Sequence, residues 1–336
     1  MNPLTYLFPV LAVCFVAAFF LLGLRGENLD LAGGKSRIKK PVPASVAKRR
    51  GGPLGIILLT AVYAAVAFFN LGDASEPETY CAMPTGGRVE ITFDDEVDLG
   101  RIFCFDGLST GDITVFVEQN GQEVSAGTLP HAYNDVFKWV DAELTEDADL
   151  TTRKVIFYPV ADKPEDMEIG EMAFYDRAGR RVDPSDITVA KGCEALTDEP
   201  MAVPETSTWR NSTHFDEIYH VRTALEHLRG IWPYEISHPP LGKLILSVGL
   251  VLFGVNPFGW RFMGTLFGVA MLPIIWQFLR KLFDDDRVAL CGTAVFAFDF
   301  MHFVQTRIAT IDTYGVFFIL LMYLFFEEGL SRSFSG

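Results

Sequence analysis

Charge is scarce in this chain, and positive charge scarcer still. Of 336 residues only 21% are charged, with 28 Lys and Arg against 43 Asp and Glu, a net charge of −15. A protein that grips nucleic acid needs a basic face, so that class is excluded. Cysteine is also sparse, at five residues, and neither a C-x-x-C nor an H-E-x-x-H pair occurs. The common zinc spacings are therefore absent. What is abundant is apolar surface: 49% of residues are hydrophobic and the mean hydropathy is +0.23. Soluble domains of this size rarely reach that value, so part of the chain must sit in lipid, and a single-domain cytosolic enzyme is excluded.

The acidity is local. Residues 73–208 carry 30 acidic and 10 basic side chains, whereas the remainder carries 13 and 18. One acidic soluble block thus interrupts a mildly basic membrane protein. Leu4–Leu24 is an uncharged run of 21 residues, enough to span roughly 30 Å of hydrocarbon. It reads as a span rather than a signal peptide, because no Lys or Arg precedes it and no small-residue cleavage site follows. A second span covers 53–72. The loop between them, 26–52, is rich in Lys and Arg and should stay in the cytoplasm. With 1–25 as the N-terminal span, the N-terminus and the acidic block are then extracytoplasmic.

Beyond residue 259 three further spans are expected. They are Phe262–Leu279, the return Val288–Thr306 interrupted by Asp299 and His302, and Thr313–Phe326, which gives five spans in all. Asp299, in mid-span, should face the bundle interior. Leu244–Val255 is too short to cross, and counting it would place Arg280 and Lys281 outside. It reads as a helix lying along the outer surface. Asp284-Asp285-Asp286 reads as a solvated cytoplasmic turn rather than a metal cluster.

Within 73–208, Val89, Ile91 and Phe93 alternate with polar residues, as do Ile113, Val115 and Val117. Val155–Tyr158 is a buried-strand run, and Asp106-Gly107 and Asn120-Gly121 mark turns. A β-sandwich is expected. Glu168–Asp176, followed by Gly179-Arg-Arg-Val182, resembles the last strands of discoidin-like (galactose-binding-like) jelly rolls, and Phe137-Lys-Trp139 fits a strand start of that fold. Such domains often bind sugars; the plainer alternative is a spacer. Cys14 and Cys291 lie in spans. Cys81, Cys104 and Cys193 lie outside, where a Cys81–Cys193 bridge is one reading and three thiols the other.

The chain leaves the block toward Thr213-His-Phe-Asp-Glu-Ile-Tyr-His220. Two adjacent carboxylates, Asp216 and Glu217, precede a helical run in which Ile218, Val221, Leu225 and Leu228 recur. Asp216 can serve simply as an N-cap. Yet Arg261, Arg307 and Asp312 are expected at the same outer membrane level, where charges are costly and usually functional. The two arginines can also merely snorkel at span ends. His238 pins a loop more readily than it moves protons, and Asp312 can cap a span.

Four segments in order, Phe215-Asp-Glu-Ile-Tyr-His220, His238-Pro-Pro-Leu-Gly-Lys243, Pro257-Phe-Gly-Trp-Arg-Phe262 and Thr306-Arg-Ile-Ala-Thr-Ile-Asp312, resemble the protein O-mannosyltransferase family, bacterial members included, of the GT-C membrane glycosyltransferases. The likeness covers 54–79 and 203–330. The acidic block looks like an insertion, since Glu76-Pro-Glu-Thr79 before it is echoed by Val203-Pro-Glu-Thr206 after it. The resemblance implies a polytopic α-helical plasma-membrane protein whose outer loop, 209–258, holds the chemistry. It implies transfer of a sugar, typically mannose, from a polyprenyl-phosphate donor to Ser or Thr of an exported protein, with inversion. Asp216 would be the general base, and Glu217 would support it or help seat the acceptor. Arg261, Arg307, Lys243 and His238 would serve the donor phosphate, and Asp312 matches a second acidic motif. No metal is indicated, although some relatives use one at that motif. Alternative readings are a GT-C transferase acting on a lipid or cell-wall glycan, and a tethered glycan-binding protein. Family members carry further spans, so 259–336 reads as the truncated start of a longer bundle.

Overall fold

The computed structural model describes residues 53–145, 148–162, 166–188 and 194–333. The span expected at Leu4–Leu24 and the basic loop 26–52 lie outside the described residues. The chain divides into two compact units. One gathers 53–71, 236–249 and 260–333; the other gathers 72–235 with 250–259.

The second unit is dominated by β-structure. Among the described residues ten antiparallel strands form one curled sheet: β1 Cys81–Met83, β2 Val89–Asp106, β3 Gly111–Gln119, β4 Gln122–His131, β5 Trp139–Asp141, β6 Glu143–Leu144, β7 Thr151–Ala161, β8 Met167–Asp176, β9 Arg181–Val182 and β10 Asp186–Thr188. The long β2 serves both halves. Its first part pairs with β7 and β10, the register shifts between Thr92 and Val97, and its second part pairs with β8 and β5. The strands on either side of the register shift are thus joined through one shared strand into a curled antiparallel sheet, as bulges allow, and the expected β-sandwich is not clearly shown. Alternation was read correctly: Val89, Ile91, Ile113, Val115, Val117, Val155 and Phe157 are fully buried. Each such side chain contributes about 1.5–3 kcal/mol by leaving water. Cys81 is disulfide-bonded and Cys104 is a buried thiol; Cys193 lies outside the described residues.

This unit also buries an ion pair. His131, at the end of β4, is 0% exposed and places Nδ1 on the carboxylate of Asp106, while Nε2 lies 3.0 Å from the Leu108 carbonyl. Both ring nitrogens face acceptors, an arrangement that favours the doubly protonated ring, while burial also raises the pKa of Asp106. Burial alone would pull its pKa down, but Asp106 outweighs burial and holds it above the usual histidine value.

The first unit is helical: α1 Leu54–Phe68, most of α3 Pro240–Phe253 and α4 Pro257–Phe283, then α5 Asp286–Ala297, α6 Phe300–Gln305 and α7 Asp312–Ser333. Among the described residues only α4 is both long and apolar enough to cross a membrane; α1 and α3, with 15 and 14 residues, are apolar but shorter. The single crossing expected over Val288–Thr306 is broken. Helix α5 has 12 residues, about 18 Å. At the break Asp299 is exposed and accepts the His302 N–H at 3.1 Å, capping α6. Asp299 therefore does not point into the interior: its carboxylate satisfies a helix start. Small residues let these helices approach. A Cβ on Gly242 would stand 2.9 Å from the Ile311 side chain, and one on Gly268 2.5 Å from Thr306.

Candidate active site

Helix α2, Glu217–Arg229, carries the acidic pair at its head. It forms where the apolar face demands: Ile218, Val221 and Leu225 are buried, and Gly230, at φ 69°, ends the helix in the left-handed conformation. Leu228, expected on the same stripe, is instead 46% exposed. Asp216 occupies the N-cap position, yet its side chain makes no capping hydrogen bond. Phe215 before it has φ 55° and is 61% exposed, a bulky residue in the left-handed region. Glu217 is fully buried, and its Oε2 accepts the His214 N–H at 2.8 Å. The two carboxylates therefore differ in kind. Glu217 is spent on the turn that enters the helix. Asp216 is half-buried, and among the described residues its carboxylate takes no hydrogen bond.

Sequence reasoning missed the groups around this head. Arg222 is buried and its Nε meets Glu226 at 2.9 Å; its guanidinium lies 4.1 Å over the Tyr234 ring. The second Glu226 oxygen accepts the Tyr234 N–H at 2.6 Å, so one i,i+4 pair locks the chain that leaves the helix. Tyr133 of the β domain stacks on Tyr219, with centroids 6.2 Å apart at 21°. The Arg-x-x-x-Glu spacing was the available signal; the tyrosine contact had none.

In the helical unit the expected cations converge on the end of α1. Arg261 is buried and donates to the Leu71 carbonyl at 3.2 Å. Arg307 donates to the carbonyls of Ala67, Phe69 and Asn70 at 3.0, 2.8 and 3.1 Å. Both satisfy carbonyls that a helix end leaves open. Lys243 is buried, with Nζ 3.5 Å from the His238 carbonyl; His238 itself is exposed, its ring 3.1 Å from the Ser237 hydroxyl. Asp312 is exposed in the first turn of α7. Of the Asp284–Asp286 run, Asp285 caps α5 and Asp286 pairs with Arg280 at 2.8 Å.

Among the described residues one group has metal-ligand spacing, Glu171, Asp198 and Glu199. Its members are engaged by protein: Glu199 accepts the Glu78 N–H at 2.9 Å, and Glu171 accepts the Glu199 N–H at 3.1 Å. Glu171 is buried, and burial pushes its pKa up to about 8. Folding therefore favours the protonated acid. The stability it lends is present below about pH 4.5 and lost as pH rises to about 8. Glu171→Gln should flatten that dependence and raise the unfolding midpoint at pH 8.5, with a gain on the order of 2 kcal/mol, readable by thermal scans across pH.

Residues 237–333 match the profile of the family described as dolichyl-phosphate-mannose-protein mannosyltransferase. Over this stretch the chain is mannosyltransferase-like. The same stretch holds three of the four segments on which the likeness was read. Proteins named polyprenol-phosphate-mannose–protein mannosyltransferase are similar to it: one from Mycobacterium tuberculosis, 33% identical over 85 residues (25% of this chain, 16% of that protein), and one from Mycolicibacterium smegmatis, 36% identical over 84 residues (25% and 16%). A third, from Corynebacterium glutamicum, is 30% identical over 118 residues (31% and 22%). The chain thus matches these relatives over less than a quarter of their length. No solved structure matches it.

Proposed function

We propose that the chain belongs to a polytopic plasma-membrane glycosyltransferase, its catalytic loop on the extracytoplasmic side, that moves mannose from a polyprenyl-phosphate donor to Ser or Thr of an exported protein. The observation that carries this reading is the mannosyltransferase match over 237–333. The uncommitted carboxylate of Asp216 supports it, because a hydroxyl nucleophile needs a base within hydrogen-bond reach. In the proposed step the acceptor oxygen attacks the anomeric carbon on the face opposite the phosphate. The new C–O bond forms as the bond to phosphate breaks, the electron pair leaves with the polyprenyl phosphate, and the hydroxyl proton passes to Asp216. The configuration inverts. Glu217 holds the turn that presents Asp216. Arg261, Arg307 and Lys243 supply positive charge for the leaving phosphate, with His238 and Asp312 beside them in sequence.

Membranes carrying the full chain should transfer labelled mannose from polyprenyl-phosphate-mannose to a Ser/Thr-rich peptide on the outer face. Label recovered only in lipid or wall glycan would move the acceptor to that class and overturn the protein-directed reading.

A further inference from the structure

The β domain does more than adjoin the acidic pair; it holds the backbone that leads to it. Thr213 donates twice to the turn at 131–139: its N–H to the Phe137 carbonyl at 2.9 Å and its Oγ1 to the Val136 carbonyl at 2.7 Å. Beside it Ser212 accepts the Trp139 N–H at 3.2 Å through its hydroxyl, and both residues are buried. The turn is itself fixed. Phe137 is fully buried at φ 55°, its N–H donates to the Asp106 carbonyl at 2.9 Å, and the Lys138 carbonyl accepts the Asp106 N–H at 2.8 Å. A phenylalanine in that conformation is strained by about 1–3 kcal/mol and persists only where its surroundings dictate it. Here the strained residue is the one whose carbonyl receives Thr213. Tyr133, from the same turn, adds the stack on Tyr219. At the far end of α2, Arg229 meets the Glu168 carboxylate of β8 at 2.7 Å. A spacer would not need to clamp this backbone at its strained turn.

We propose that the 131–139 turn is a positioning element for Asp216, acting through Thr213 and, at the helix surface, through Tyr133. This rests on the reading of Asp216 as base. The hydroxyl of Thr213 fixes the chain three residues ahead of the carboxylate, and the Phe215 kink transmits that placement to the helix head. Small displacements of a base are expensive in rate, so the signature is a loss of turnover without a loss of binding.

The test uses the full chain in lipid, with polyprenyl-phosphate-mannose and an acceptor peptide. Thr213→Val should lower kcat about tenfold, leave both KM values unchanged, and keep the thermal unfolding midpoint within a few degrees. Thr213→Ser, which keeps the hydroxyl, should restore most of the rate. Should Thr213→Val fold poorly, the exposed Tyr133 carries the test: Tyr133→Ala should lower kcat several-fold, and Tyr133→Phe, which keeps the ring, should not. Wild-type kcat in Thr213→Val and Tyr133→Ala, with Asp216→Asn inactive, would overturn the positioning role and leave the base assignment standing. A raised acceptor KM at unchanged kcat would make the turn an acceptor contact and also overturn it. An active Asp216→Asn would remove both readings.

Discussion

Asp216→Asn is expected to reduce mannosyl transfer by about three orders of magnitude, the middle of the range for removing a positioned base. The amide keeps the size of the carboxylate and can still occupy the head of α2, but it cannot take the proton of the attacking hydroxyl. The change should cost little stability, because the carboxylate makes no capping bond that the fold would lose. The measurement is single-turnover transfer of labelled mannose under saturating donor and acceptor, with the unfolding midpoint taken on the same sample. A rate within threefold of wild type would sink the assignment. Glu217→Gln provides the contrast. Glu217 is buried and accepts the His214 N–H, so its loss should act through the turn. Stability and rate should fall together there, whereas at Asp216 rate alone should fall.

The second large effect belongs to the buried pair of the β domain. His131→Ala should destabilise the chain by about 3–5 kcal/mol, because it leaves the Asp106 carboxylate buried without its partner. The pair sits where β2 meets the 131–139 turn, so the loss should also loosen the segment that Thr213 grips. A fall of about 10 °C in the unfolding midpoint is the expected reading at neutral pH. The pH dependence has a defined sign. A histidine whose pKa is raised by folding lends stability that is present below about pH 6.5 and lost as pH climbs through its folded value. The difference between wild type and His131→Ala should therefore narrow on the alkaline side. A midpoint unchanged by the substitution would mean that the imidazolium adds nothing to the fold.

Much of this arrangement was legible in the residues alone, and the misses have physical causes. Alternation exposed the buried faces of β2, β3 and β7, because a half-buried strand writes its burial into the chain. The one-sheet curl was not legible, since a bulge between Thr92 and Val97 leaves no compositional mark. The break at Asp299 was read as a charge inside a span, although Asp299 followed by a short helix is equally a cap. The roles of Asp216 and Glu217 could be told apart only from geometry: both are carboxylates, and only the turn decides which one is consumed. Arg261 and Arg307 were placed near each other by topology, but their grip on the α1 carbonyls required coordinates. The link from the 131–139 turn to Thr213 joins residues more than seventy apart in sequence and is invisible to any local pattern.

That link also sets an order of events during synthesis. Every described strand of the β domain precedes Thr213 in the chain, and domains tend to fold as units as they emerge. The turn with its strained Phe137 can be complete before the acidic pair leaves the ribosome. The segment bearing Asp216 then arrives at a template already formed, and the head of α2 is assembled against it before α3 to α7 have emerged.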